Sequence, residues 1–164
     1  MVAQANSPKA GTINATSGGR RLTGERLTRS ENMSRIRGKD TGPEMTVRRA
    51  VWQAGLRYRL HDKRLPGKPD LVFPRLRTVV FVHGCFWHCH EGCKNSRVPK
   101  TRSDWWMNKL AGNKVRDMKA SNCLRNMGWD VLVIWECEAA NPKRVSDLIG
   151  TLQQRSSRSK IHSH

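Results

Sequence analysis

Within residues 82–93, VHGCFWHCHEGC, the chain gathers three of its six histidines and three of its five cysteines around a Phe-Trp pair. No other stretch restricts the possible folds as strongly. Cys85, His90 and Cys93 follow the spacing C-x4-H-x2-C, and two thiolates with an imidazole suit tetrahedral Zn2+. A closed structural site needs a fourth ligand. Cys89 and His88 are local candidates, while Cys137 is favoured because a ligand far along the chain would tie the loop to the sheet. Unligated buried cysteines are the plain alternative, a weak one for three Cys within nine residues. Cys123 falls among apolar positions of a helical stretch and is expected in the core.

Charge then limits the partners. Lys and Arg number 31 against 13 Asp and Glu, a formal net charge of +18. Such a surplus self-repels in the folded state, so a polyanion is the natural partner. Nucleic acid fits, and a membrane does not, because no long apolar run appears. A length of 164 residues suits one domain with tails, and a hydrophobic content of 37% implies that part of the chain lies outside the core. The N-terminus lacks the apolar region of a secretory signal, so the protein is expected in the cytoplasm, where clustered Cys and His read as metal ligands rather than disulfides.

In chain order, residues 1–30 form a basic arm, expected to be disordered when free. Thr41 and Glu44 have the form of a capping box and start a helix at Gly42-Pro43. Val47, Val51 and Ala54 continue it at helical spacing, and Gly55 caps its end. Residues 56–60 alternate like a half-buried strand, and His61 falls in an exposed polar turn. Leu71-Val72-Phe73 and residues 78–82 (TVVFV) read as strands joined by a tight turn. Antiparallel pairing would set the start of one beside the end of the other, bringing Asp70 and His83 together.

Between residues 94 and 119, eight basic residues face only Asp104 and Asp117. Two helical stretches are expected there, the first opening at Trp105-Trp106 and the second running to about Met127. Residues 129–135 (WDVLVIW) form another buried strand. Val145, Leu148, Ile149 and Leu152 make a core-facing helical stripe. Residues 153–164 read as a basic tail, with His162 and His164 inert. The succession describes an α/β domain over residues 31–152, a central mixed sheet flanked by helices.

With zinc holding four residues, His83 and His88 are spare. A carboxylate for a hard cation at Asp70 and imidazoles for proton transfer are the parts that phosphodiester hydrolysis needs. Asp70 taken alone could equally be a structural turn residue. Phe86, Trp87 and Trp106 are expected to be exposed and to meet bases, since apolar wedges unstack and kink a duplex. Trp105, Trp129 and Trp135 fit core packing instead.

The stretches PGKPD, FVHGCFWH, VPKTR with the following Trp-Trp, Asn-x-x-Arg-Asp at 113–117 and GWDVLVIWECE resemble the very short patch repair (Vsr) endonuclease family. The resemblance spans roughly residues 30–140. It implies a variant of the PD-(D/E)xK restriction-endonuclease-like fold that nicks duplex DNA on the 5′ side of the thymine in T·G mismatches, which arise when 5-methylcytosine deaminates. It also implies residue roles. Asp70 resembles the Mg2+-binding aspartate, with the Val82 backbone carbonyl as second metal contact. His83 and His88 match active-site histidines, and Glu44 a supporting acid. Cys85, His90, Cys93 and Cys137 match structural zinc ligands. Phe86, Trp87 and Trp106 look like intercalating aromatics, and Met33 like a minor-groove contact. The usual Glu-x-Lys half of the nuclease motif is absent, and the histidines stand in for it.

The expectation is therefore a Mg2+-dependent, zinc-containing mismatch endonuclease, monomeric, with T·G duplex DNA and mismatch-repair proteins as partners. The alternatives are a restriction-type or general DNA endonuclease with no mismatch requirement, and a zinc-braced DNA-binding module with no catalysis.

Overall fold

The structure, a computed structural model, describes residues 39–161; the arm at 1–30, Met33, His162 and His164 lie outside the described residues. The first helix, α1 (Gly42–Gln53), begins where the capping box places it. The Thr41 hydroxyl oxygen accepts the Glu44 N–H at 3.4 Å, and the Glu44 carboxylate reaches back to the Asp40 N–H at 3.1 Å. It ends in a Schellman pattern. Gly55 at φ +80° donates to the Trp52 carbonyl and Leu56 to the Val51 carbonyl, which satisfies the last turn and buries Leu56 against Val51.

That use of Leu56 shortens the following strand. The alternation at 56–60 predicts five residues, but β1 is only Arg59–Leu60, both exposed at the sheet edge. β2 (Leu71–Phe73) and β3 (Thr78–His83) pair antiparallel around a 3-10 turn at Pro74–Leu76. A single helix, α2 (Ser103–Asn126), replaces the two stretches expected, and leads to β4 (Asp130–Trp135), parallel to β3. The short α3 (Glu136–Ala139) and the long α4 (Pro142–Ile161) complete the order. Residues 153–161, expected as tail, are the last turns of α4. Arg155 fixes them to the sheet, donating to the Thr78 hydroxyl at 3.3 Å and pairing with Asp130.

The sheet runs β1-β2-β3-β4 and is covered on both faces at β2 and β3. β4, expected as a buried strand, is instead an edge strand that buries only Ile134 and leaves Val133 exposed. Leu71, Phe73, Val80 and Ile134 pack with Val47 and Val51 of α1 and Val145 and Leu152 of α4. Val72, Val79 and Phe81 face the other way, onto Leu65 and Leu124 of α2. Each such side chain contributes about 1.5–3 kcal/mol when fully buried. Two covered faces explain the continuous apolar run of β3, the centre of the mixed sheet. Cys123 departs from expectation: it is exposed on the outer side of α2. Among the described residues no helix is long and apolar enough to cross a membrane.

Candidate active site and metal cluster

The register of β2 and β3 sets Leu71 opposite Val80, so Asp70 stands one step earlier, beside the end of β3. Its Oδ2 accepts the Val82 N–H at 2.7 Å. Asp70 and His83 line one cleft of about 440 Å³ with Glu44, Lys68, His88, Arg116 and Asp117. Burial pushes the Asp70 carboxyl above its ordinary range; the Val82 N–H pulls it back, and the nearby Glu44 adds to the rise.

His83 ends β3 on the face covered by α2. His88 returns from the loop and stacks on it, with centroids 4.0 Å apart and planes within 8°. Burial, then the neighbouring His88, lowers His83 to about 4, against the opposing pull of Asp117. Its imidazole is therefore neutral at neutral pH. His88 Nδ1 lies 2.6 Å from Asp117 Oδ2. That bond puts a proton on Nδ1 and leaves Nε2 of the neutral ring as the basic nitrogen.

Asp117 is the cleft residue that sequence reasoning missed. In the sequence it stands out only as one of two acids in a basic stretch and as the end of a motif. A carboxylate in mid-helix among basic residues was the signal. Glu44 is at once a cap and a cleft residue, 5% exposed and paired with Arg48 at 2.8 Å. His61, expected exposed, is half-buried, with Nε2 3.0 Å from the Arg48 guanidinium.

A second cluster adjoins the first. One ligand atom each from Cys85, His90, Cys93 and Cys137 lies within 4.8 Å of the others, and His90 Nδ1 is 3.5 Å from Cys85 Sγ and 3.4 Å from Cys137 Sγ. The parallel register explains the distant member. His83 pairs with Trp135, so the chain leaving β4 into α3 delivers Cys137 to the loop that follows β3. Cys89 and His88, the local alternatives, are not in the group. Burial pushes the Cys85 thiol up to about 12, whereas the Asn95 N–H lowers Cys93.

The aromatic residues divide differently from expectation. Phe86 and Trp87 are half-buried and meet edge-on at 5.1 Å, but Trp106 is buried at 6% exposure behind them, 5.3 Å from Phe86 and 6.1 Å from Trp87. Trp105 is 47% exposed instead, with Lys109 Nζ 4.9 Å from its ring. The reason is helical phase: Trp106 shares the inward face of α2 with Leu110, and Trp105 lies about 100° away. Asn113 Nδ2 ties the ring-bearing loop to α2 through the Trp87 carbonyl at 2.9 Å. Trp129 and Trp135 are both partly buried, Trp129 against the α2-side core.

A carboxylate and paired imidazoles in one cleft, in a chain of charge +18, suit hydrolysis of a nucleic-acid backbone. The particular family follows from comparison. A model of the DNA mismatch endonuclease Vsr family matches residues 24–95. The chain is 47% identical over 135 residues to type II nicking enzyme V.XorIIP of Xanthomonas oryzae pv. oryzae, covering 82% of this chain and 92% of that protein. It is 45% identical over 113 residues to type II nicking enzyme V.NmeAIP of Neisseria meningitidis, 69% and 80% of the two chains. With the DNA mismatch endonuclease Vsr of Escherichia coli it shares 39% identity over 123 residues, 75% and 78%. The chain belongs to the Vsr family and is a DNA endonuclease. Membership removes the non-catalytic binding module.

Proposed function

We propose that this protein nicks duplex DNA on the 5′ side of the thymine in T·G mismatches, as a Mg2+-dependent monomeric endonuclease of PD-(D/E)xK type braced by Zn2+. The observation that carries the reading is the meeting of Asp70, His83, His88 and Asp117 in one cleft, with Phe86 and Trp87 immediately before His88 in the chain.

Asp70 suits a divalent cation, because its carboxyl is disfavoured in the charged form by burial and by Glu44, and a cation relieves both. Asp70 and the Val82 carbonyl are the atoms that would hold it. When bound, Mg2+ supplies positive charge at the scissile phosphate. His88, oriented by Asp117, accepts a proton from the attacking water at Nε2. His83 stays uncharged and donates an N–H toward the phosphate. Glu44 stands across from Asp70 and is held by Arg48. Phe86 and Trp87 wedge at the mismatch, where unstacking costs less than at a paired step, with Trp106 as their backing.

The Cys85, His90, Cys93 and Cys137 donors fit zinc: a tetrahedron with bonds of about 2.0–2.3 Å has edges of roughly 3.6 Å, close to the 3.4 and 3.5 Å observed. Bound there, zinc holds the ring-bearing loop against α3.

The names of several relatives, type II nicking enzymes, mention no mismatch, and the second reading is a restriction-type or general DNA endonuclease that also nicks fully paired DNA. One assay decides between them. Duplexes of one sequence carrying T·G, T·A or C·G at the test position are incubated with Mg2+ or with EDTA. Nicking of the thymine strand in the T·G duplex alone, lost in EDTA, is expected. Equal nicking of the paired duplexes would establish the second reading, and nicking in EDTA would remove the Mg2+ requirement.

A further inference from the structure

Arg48 is buried in α1 at 4% exposure, beside Val47 and Val51. A buried arginine–carboxylate pair rarely gains stability over apolar side chains of the same volume, so stability alone does not account for it. Its contacts supply a different reason. One nitrogen, Nη2, donates to Glu44 Oε2 at 2.8 Å and stands 3.0 Å from His61 Nε2. A guanidinium has no acceptor, so His61 Nε2 must accept, and the His61 proton resides on Nδ1. His61 itself is held at φ +45°, a conformation that a non-glycine residue keeps only when its surroundings impose it.

The other Glu44 contacts complete the clamp. Oε1 accepts the Thr41 hydroxyl at 3.0 Å, and Oε2 also accepts the Asp40 N–H at 3.1 Å. Arg48 is anchored in turn: Nη1 pairs with Asp40, and the Arg48 carbonyl accepts the Tyr58 hydroxyl at 3.2 Å. Glu44 belongs to α1, whereas His61 begins the segment that ends at Asp70. Both carboxylates line the same cleft. Arg48 thus bridges the two chain segments that carry these acids into the cleft.

We propose that Arg48 is a positioning residue: gripping Glu44 and His61 from one nitrogen, it fixes the spacing of the Glu44 and Asp70 carboxylates and so sets the cleft's affinity for a divalent cation. The proposal rests on the assignment of Asp70 to cation binding.

Calorimetric titration of the full-length protein with Ca2+ alone, without DNA, reads that affinity; Ca2+ is a hard cation with little taste for thiolates. Arg48→Met should weaken it by about tenfold, the usual effect of removing a group that orients a ligand. Nicking by Arg48→Met should slow and recover at raised Mg2+, with KM for DNA unchanged. Arg48→Lys should recover part of the affinity. Long-range 1H–15N spectra should show His61 with its proton on Nδ1 in the parent and a tautomer mixture in Arg48→Met. Tyr58→Phe, which loosens Arg48 without touching the fork, should lower Tm and leave Ca2+ binding alone.

A folded Arg48→Met with parental Ca2+ affinity overturns the proposal. If that variant does not fold, His61→Leu, which removes the acceptor, carries the same expectation, and parental Ca2+ affinity in it overturns the proposal equally. Asp70→Asn with parental Ca2+ affinity would instead overturn the assignment of Asp70, a separate outcome.

Discussion

Cys85 is two residues from His83 and three from His88, yet these residues belong to two sites of opposite character. The thiolate–imidazole group is closed: its four donors face one another, with Cys85 fully buried. The carboxylate–imidazole group lines an open cleft beside a basic helix. Trp135 stands between them. His90 lies flat on its ring, with centroids 4.1 Å apart and planes within 2°, whereas His83 meets it edge-on at 5.4 Å and 72°. The same residue type joins the thiol cluster on one side of an indole and lines the cleft on the other. What separates the roles is the partner supplied from a distance: Cys137 from the end of β4, and Asp117 from α2.

The contrast breaks most visibly at Cys137. Cys137→Ser should lose one equivalent of zinc by elemental analysis and show a large fall in Tm, because structural zinc binding is worth about 10 kcal/mol or more. Retention of both metal and Tm would leave the cluster without its closing ligand. Asp70→Asn should do the reverse. Nicking of T·G duplex should fall by about 10³-fold while zinc content and fold persist, and a parallel loss of zinc would show that the two sites are not independent.

Asp117→Asn tests the partner of His88. Nicking is expected to drop by roughly 10²-fold, with an altered pH–rate profile, since an amide can stabilise the wrong tautomer. An unchanged profile would remove Asp117 from the proton path.

A smaller effect concerns stability on the cleft side. His83 ionises at about 4 when folded, against an ordinary value near 6.5. The unfolded chain therefore binds the extra proton first, and stability falls as pH drops through that interval. His83→Phe should flatten that part of a denaturation series from pH 6.5 to 4; an identical slope would show that the imidazole titrates normally. Smallest of all, Thr41→Ala removes a helix cap remote from zinc and should cost about 1 kcal/mol in chemical denaturation, with metal content untouched.

Much of the molecule was legible in the chain. The capping box at Thr41 and Glu44, the Gly55 terminator, the antiparallel pair that joins Asp70 to His83, and the α4 stripe of Val145, Leu148, Ile149 and Leu152 all stand where local pattern places them. Local pattern failed where two elements compete for one residue or where phase decides. Leu56 went to the helix cap rather than to a strand. Trp106 and Trp105 exchanged their expected exposure through a single step around α2. Residues 153–161 joined α4 because Arg155 finds Thr78 and Asp130, groups far away in sequence.

Residue type and short spacing were enough for the inventory: the thiolates and imidazoles for one site, the acids and imidazoles for the other, the rings, and a charge suited to DNA. The covalent chain dictates all of these. The pairings of His88 with Asp117 and of Arg48 with His61 arose only from tertiary packing. Each joins segments that the fold brings together from separate elements. Such contacts depend on how faces pack, information that no short stretch of sequence contains.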